Sequence, residues 1–202
     1  HHGDRFFIVT NDQARNFRLM EAPTATPDQA HWKEVIPHRE KVKLDNVEPF
    51  ADFLLIQERD EGLPRLRVRK LADSSDHMVE FAEPAYAVFP LGNEEFKTDI
   101  LHFQYQSLIT PRTVYDYNMN SKKRELLKRD EVLGGFDPDR YVSERIFATA
   151  SDGTRVPINL AYRKGLSKDG KNPALLYAYG SYGASMDTSF SSDRVSLLDR
   201  GF

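Results

Sequence analysis

Short β-type segments follow one another from Asp4 to Lys128 without a convincing amphipathic helix, and this pattern restricts the fold more than any other feature of the sequence. The segments are rich in β-branched and aromatic residues, and turn-forming residues separate them. In Ile100–Gln106, apolar residues alternate with polar ones, as in a strand with one buried and one solvated face. Roughly seven or more strands are predicted, so we interpret this part of the chain as an all-β domain.

The predicted strands recur with a regular spacing. Pairs of strands begin about every 45 to 50 residues, near Asp4, Pro49 and Ile100, which approximates one four-stranded blade of a β-propeller per period. A β-sandwich gives a similar spacing, so the periodicity alone leaves both architectures open.

The character of the sequence changes at Glu131–Pro138, where paired glycines and an Asp-Pro step indicate an exposed connection. We place a domain boundary there, with one domain over residues 1–137 and a second over residues 138–202. In the second domain, Asp152-Gly153 predicts the turn of a β-hairpin, and a short helix is predicted over Arg194–Arg200. These few elements cannot bury a sheet alone, so we expect the second domain to be incomplete and the chain to be a fragment.

An apolar run, Ala174–Tyr179, leads into a loop that carries two glycines and a further tyrosine. Because the run is apolar without alternation, it predicts a strand covered on both faces, as in an α/β sheet, where ligands gather beyond the carboxyl ends of the strands. Gly180 and Gly183 allow a sharp turn, and Tyr179 and Tyr182 offer hydroxyl donors. A tight turn between buried strands explains the same spacing. A phosphate-binding loop is disfavoured because the P-loop spacing and its Lys are absent.

The composition gives no support for several kinds of partner and excludes one kind of site. With 28 Lys and Arg against 31 Asp and Glu, the net charge of −3 gives no argument for a nucleic-acid or membrane-surface partner. No apolar run approaches about 18 residues, and the start of the chain carries no signal pattern. The absence of cysteine excludes disulfides and thiolate metal sites, and we interpret the six scattered histidines as surface or packing residues. The lack of cysteine fits a reducing compartment, and we expect a cytoplasmic protein with no cofactor, metal, nucleic-acid or membrane partner.

Several motifs resemble a known family. Tyr177–Gly183, Glu131–Pro138 and Leu197–Phe202 resemble, in the same order along the chain, the prolyl oligopeptidase family of serine peptidases and its oligopeptidase B group in particular. Shorter matches such as Asn16–Met20 and Glu83–Tyr86 extend the resemblance over essentially the whole chain. The resemblance implies the C-terminal blades of a seven-bladed β-propeller, followed by the first strands of an α/β-hydrolase domain.

The resemblance also implies an activity for the parent protein, namely hydrolysis of oligopeptides after Arg or Lys by a Ser-His-Asp triad. The sequence contains no Gly-x-Ser-x-Gly, the strained turn that exposes the nucleophile in such hydrolases. We therefore expect the triad to lie beyond this chain and the chain alone to be inactive. The alternative is a propeller that binds peptides or proteins without catalysis. It explains the residues before the boundary equally well, but not the segment after Asp137.

The resemblance assigns a catalytic role to one residue of this chain, Tyr179. In the family, the second tyrosine of the motif donates its hydroxyl to the oxyanion that forms when the serine attacks the carbonyl. A neutral phenol suits this role because it donates one directed hydrogen bond without competing for the proton of the nucleophile. Tyr182 lies where the family usually has an aromatic ring beside the substrate pocket, so we assign it to substrate binding.

Overall fold

The structure is a computed structural model that describes every residue from His1 to Phe202, and it consists mainly of β-strands in four separate sheets. By contacts the chain divides into two compact units. The first comprises His1–Glu80, Pro90–His102 and Tyr117–Arg124, and the second comprises Phe81–Phe89, Phe103–Asp116 and Glu125–Phe202.

The first sheet has three strands, β1 (Arg5–Thr10), β2 (Arg18–Pro23) and β3 (Lys33–Ile36), in the order β1-β2-β3. Both pairings are antiparallel, because the connections are too short for the crossover that a parallel pair needs. Leu19 in the central strand is fully buried, so this sheet contributes directly to the core.

The second sheet has four strands in sequence order: β4 (Val42–Pro49), β5 (Phe53–Asp60), β6 (Leu63–Lys70) and β7 (Asp76–Met78). Glu61 and Gly62 both have positive φ, at 48° and 82°, the backbone that a two-residue hairpin between β5 and β6 requires. The buried side chains form one apolar cluster with those of the first sheet, consisting of Leu19, Ile36, Leu44, Leu54 and Ile56.

The third sheet also has four strands, β8 (Tyr86–Pro90), β9 (Ile100–Ser107), β10 (Thr113–Asn118) and β11 (Arg124–Arg129), in the order β11-β10-β9-β8. In β9, Leu101, Phe103 and Tyr105 are buried while the residues between them are more exposed. This alternation confirms the prediction of a strand with one covered face.

The last sheet is a hairpin of β12 (Tyr141–Thr149) and β13 (Arg155–Arg163), which pair in antiparallel register. Gly153 in the connecting turn has φ +85°, so the Asp-Gly signal for a hairpin is confirmed. Pro157 lies in a strand with a single neighbour, as its missing N–H predicts. Helix α1 (Ser192–Asp199) follows close to the position predicted for it. No helix in the structure is both long and apolar enough to cross a bilayer.

The pattern of the sequence does not predict β4, β7 or β8. The alternation of β4 is interrupted because the pairing register with β5 shifts between Leu44 and Asn46, which leaves Asp45 in a bulge. Strand β7 has only three residues and β8 lies in a stretch rich in Pro and Gly, so neither carries a recognisable period.

A network of charged side chains crosses the second sheet. Glu58 in β5, whose side chain is 1% exposed, accepts hydrogen bonds from both Arg39 and Arg67. Arg67 also donates to Asp76 Oδ2 at 2.6 Å, and Arg69 donates to Asp76 Oδ1 at 2.7 Å. The buried carboxylate of Glu58 is therefore paired on two sides, as a charge removed from water requires.

The pKa of Asp76 sets the acid stability of this network. Burial alone would raise the pKa of Asp76, but the hydrogen bonds and charges of Arg69 and Arg67 outweigh it, and the pKa lies below the ordinary value of 3.8. Because the folded-state pKa is the lower one, the stabilisation is complete above pH 3.8 and is lost as the pH falls through the folded-state pKa.

We expect Asp76→Asn to lower the urea midpoint at pH 7 and to have progressively less effect as the pH falls below about 4. Urea denaturation at several pH values measures this directly. Asp139→Asn, at an exposed aspartate outside the network, is the matched control and should leave the midpoint unchanged at every pH. A difference between wild type and Asp76→Asn that stays constant down to pH 2 would contradict the assignment.

Candidate functional site

The segment that leads to the predicted site is not a strand. Residues 173–180 belong to no sheet, and Leu175, Leu176 and Tyr177 are 61%, 84% and 67% exposed. The prediction that Ala174–Tyr179 forms a buried strand is therefore wrong for this chain. A strand needs a neighbour for its backbone N–H and C=O groups, and none of the four sheets includes these residues.

The loop itself is a tight turn. A single turn of 3-10 helix spans Ser181–Gly183, with Tyr182 at φ +57° and Gly183 at φ +68°. Gly183 suits this left-handed backbone because it has no Cβ, whereas Tyr182 adopts it at a cost of about 1 kcal/mol. The sharp turn predicted at Gly183 is thus present, and it presents the ring of Tyr182 to solvent with 99% of the residue exposed.

Tyr179 and Tyr182 share this loop, on either side of Gly180 and Ser181. Tyr179 is 53% exposed, and neither tyrosine hydroxyl bonds to another residue of the chain. An exposed phenol can donate one hydrogen bond to an oxygen of a bound molecule, which is the chemistry that the family resemblance implies for Tyr179.

The segment after the loop is held by aromatic contacts. The backbone N–H of Phe190 donates to Gln106 Oε1 at 3.3 Å, and the Phe190 ring meets Phe136 edge-on with centroids 5.1 Å apart. Phe136 also stacks on Tyr141 at 5.4 Å. The Glu131–Pro138 connection, which contains Phe136, therefore packs against the residues that follow the loop.

Asp199 anchors the end of α1. Its Oδ1 accepts a hydrogen bond from the Tyr141 hydroxyl at 2.9 Å and another from Arg140 Nη2 at 3.0 Å. Burial, and next the hydrogen bond to Asp199, raise the pKa of Tyr141 above its ordinary value. Helix α1 is thus tied to the start of β12.

Arg194 is a further residue near the loop that sequence reasoning missed. Its guanidinium carbon lies 5.8 Å from the centroid of the Tyr177 ring, and its Nη1 donates to the carbonyl of Ser189 at 3.2 Å. No spacing signal could have revealed this contact, because it joins the first turn of α1 to a residue 17 positions earlier in the chain. No group of three or more His, Asp or Glu side chains in the chain is arranged to hold a metal ion.

The sequence that contains this loop matches a known protein family. Residues 1–130 match the model of the N-terminal β-propeller domain of prolyl oligopeptidase. The chain belongs to the prolyl oligopeptidase family. This confirms the resemblance seen in the sequence, and it supports the mostly β architecture as part of a propeller domain rather than a sandwich.

Relatives within the prolyl oligopeptidase family match the whole chain. Dipeptidyl aminopeptidase BI from Pseudoxanthomonas mexicana is 46% identical over 100% of this chain and 28% of its own length. Protease 2 from Moraxella lacunata is 33% identical over 100% of this chain and 29% of its own length. The chain therefore spans less than a third of the length of these relatives.

Solved structures of the family agree with the fold. Oligopeptidase B from Trypanosoma brucei, in a closed form with covalently bound antipain, has a TM-score of 0.88 at 33% identity, over 100% of this chain and 30% of that one. Oligopeptidase B from Leishmania major gives a TM-score of 0.87, also at 33% identity, over 100% of this chain and 29% of that one.

Proposed function

We propose that this chain is part of a longer serine peptidase that hydrolyses oligopeptides, after Arg or Lys, through a Ser-His-Asp triad outside these residues. The observation that carries the proposal is the exposed Tyr179–Gly183 loop in a chain whose relatives, matched over its whole length, are named as peptidases. A propeller that only binds peptides or proteins is not favoured, because the match to peptidases continues past the propeller residues.

Within that enzyme, residues 1–137 form the last part of a seven-bladed propeller and residues 138–202 begin the α/β-hydrolase domain. The family model ends at residue 130, which supports a boundary in the glycine-rich connection that follows. The lack of cysteine fits a reducing compartment, and the cytoplasm is the proposed location. The proposed substrates are oligopeptides, and neither a cofactor nor a metal takes part.

Tyr179 is the proposed oxyanion donor. When the serine attacks the carbonyl, negative charge develops on the carbonyl oxygen, and a donor already in place stabilises that charge more than it stabilises the ground state. Tyr182 contributes an exposed ring on the same turn, which suits contact with the substrate.

This proposal can be tested by assaying the longer protein with fluorogenic peptides that differ in the residue before the cleaved bond. We expect turnover after Arg or Lys that a serine-directed inhibitor abolishes. Cleavage that requires another residue there would refute the basic specificity, and activity insensitive to the inhibitor would refute the serine mechanism.

A second candidate activity, release of dipeptides from a free amino terminus, is favoured by one comparison. The dipeptidyl aminopeptidase from Pseudoxanthomonas mexicana is 46% identical to this chain, against 33% for Protease 2 from Moraxella lacunata. Acetylating the amino terminus of the peptide separates the two activities. An oligopeptidase that cleaves internal bonds retains its turnover, and a dipeptidyl aminopeptidase loses it.

The chain of 202 residues is expected to show no peptidase activity by itself, because it contains no Gly-x-Ser-x-Gly to supply the nucleophile. A fluorogenic peptide with Arg before the cleaved bond should remain intact in the presence of the purified chain. The longer protein at the same concentration serves as the positive control. Turnover by the short chain that a serine-directed inhibitor abolishes would place the nucleophile within these residues.

A further inference from the structure

Arg194 bridges two segments on either side of the tyrosine loop. Its guanidinium lies over the ring of Tyr177, at 5.8 Å from the centroid, on the side before the loop. Its Nη1 donates to the carbonyl of Ser189, at 3.2 Å, on the side after the loop. One side chain therefore contacts both ends of the segment that contains Tyr179.

The position of Arg194 is not explained by the stability of its own helix. It lies in the first turn of α1, where a positive charge meets the positive end of the helix dipole and is unfavourable. It forms no ion pair with a carboxylate. Its side chain contacts Tyr177 and Ser189. Its place in the first turn is therefore best explained by these two contacts, which join the segments before and after the loop.

The element that carries Arg194 is itself anchored. Leu198 of α1 is buried, and Asp199 at the end of the helix accepts hydrogen bonds from Tyr141 and Arg140. Within this chain, the segment that Arg194 reaches, residues 173–180, pairs with no strand. The contact therefore ties this segment to the anchored helix.

An arginine suits this double contact better than a lysine does. The planar guanidinium can lie against an aromatic face while its N–H groups donate at the edge of the same plane. The ammonium of lysine is a point charge on a flexible stem, and it loses one contact when it makes the other.

We propose that Arg194 is a positioning residue for Tyr179, which sets where the Tyr179 hydroxyl lies relative to the reacting carbonyl. The inference rests on the proposed role of Tyr179 as oxyanion donor. Tyr177 and Tyr179 are two residues apart, about 7 Å along an extended chain, so fixing the Tyr177 ring restricts the hydroxyl of Tyr179. Oxyanion donors act only within a narrow range of distances, so a small displacement lowers the rate.

A double-mutant cycle in the full-length enzyme tests the proposal. Arg194→Met keeps the stem and removes both contacts, and we expect it to lower kcat roughly 10-fold, with KM nearly unchanged. In the Tyr179→Phe background, Arg194→Met should lower kcat by less than about twofold, because no hydroxyl remains to be positioned. Arg194→Lys should recover part of the lost rate.

Two further variants keep the test interpretable. Arg200→Met removes an exposed arginine just after α1, whose Nε donates to the carbonyl of Ser196 at 3.3 Å, and should leave kcat unchanged. Tyr177→Leu removes the ring but leaves the Arg194 contact to Ser189 in place. It should reproduce the fall in kcat even if Arg194→Met fails to fold.

The possible results separate the two ideas. If Arg194→Met lowered kcat by the same factor in the wild type and in Tyr179→Phe, the positioning role of Arg194 would be overturned. The role of Tyr179 as oxyanion donor would stand. Unchanged kcat in both Arg194→Met and Tyr177→Leu would overturn it as well. Normal kinetics for Tyr179→Phe alone would overturn the oxyanion role, and the positioning role with it.

Discussion

Replacing Tyr179 by phenylalanine in the full-length enzyme is expected to lower kcat and kcat/KM together by roughly 10²-fold, with KM nearly unchanged. Phenylalanine keeps the ring, so contacts that hold the substrate in the ground state are preserved. In its proposed role as oxyanion donor, the hydroxyl of Tyr179 acts only when the oxyanion forms, so the rate is expected to fall while the substrate affinity is expected to stay the same. Steady-state kinetics over a range of substrate concentrations separate kcat from KM.

Tyr162→Phe provides the matched control. The Tyr162 hydroxyl donates to Glu144 across the β12–β13 hairpin, a structural contact. Its loss should lower the melting temperature slightly at most and leave kcat at its normal value. If Tyr179→Phe behaved in the same way, with a lower melting temperature and normal kinetics, Tyr179 would be a structural residue.

Glu58→Gln is expected to reduce the free energy of unfolding by about 3 kcal/mol, the largest effect on stability foreseen for a single substitution in this chain. The amide cannot neutralise Arg39 and Arg67, both of which donate to the carboxylate in the folded state. Arg67 is only 13% exposed and keeps its bond to Asp76, but it loses one of its two carboxylate partners, and water cannot replace that charge. Urea denaturation at neutral pH measures the loss.

The neighbouring substitution Glu40→Gln makes the same chemical change on an exposed residue and should alter stability by less than about 0.5 kcal/mol. A loss below about 1 kcal/mol for Glu58→Gln would show that the two arginines find other partners, or water, in the variant.

Most of the strands could be predicted because the residues of each strand and of its adjoining turn are enough to indicate it. Strand β9 was predicted because apolar and polar residues alternate along it, and the β12–β13 hairpin because Asp152-Gly153 favours a positive φ in a short turn. Strand β4 was not predicted, since a bulge at Asp45 interrupts its alternation and a bulge depends on the partner strand.

The candidate site was predictable only in part, for a related reason. The turn at Gly183 follows from a local preference of glycine, and the structure has it. The apolar run before it was wrongly predicted as a buried strand, because apolar side chains indicate that a segment favours burial but do not specify what covers it. The contact of Arg194 with Tyr177 depends on the position of α1 and has no signature in the sequence.

The strictly sequential order of the strands in the four-stranded sheets has a consequence for how the chain folds. In the β4–β7 and β8–β11 sheets, every strand is bonded only to its neighbours in the sequence. The contact order within each sheet is therefore low, and little loop-closure entropy is lost when a ladder forms. Such a sheet needs no strand from a distant part of the chain, so each of the two sheets can form as soon as its own segment has left the ribosome.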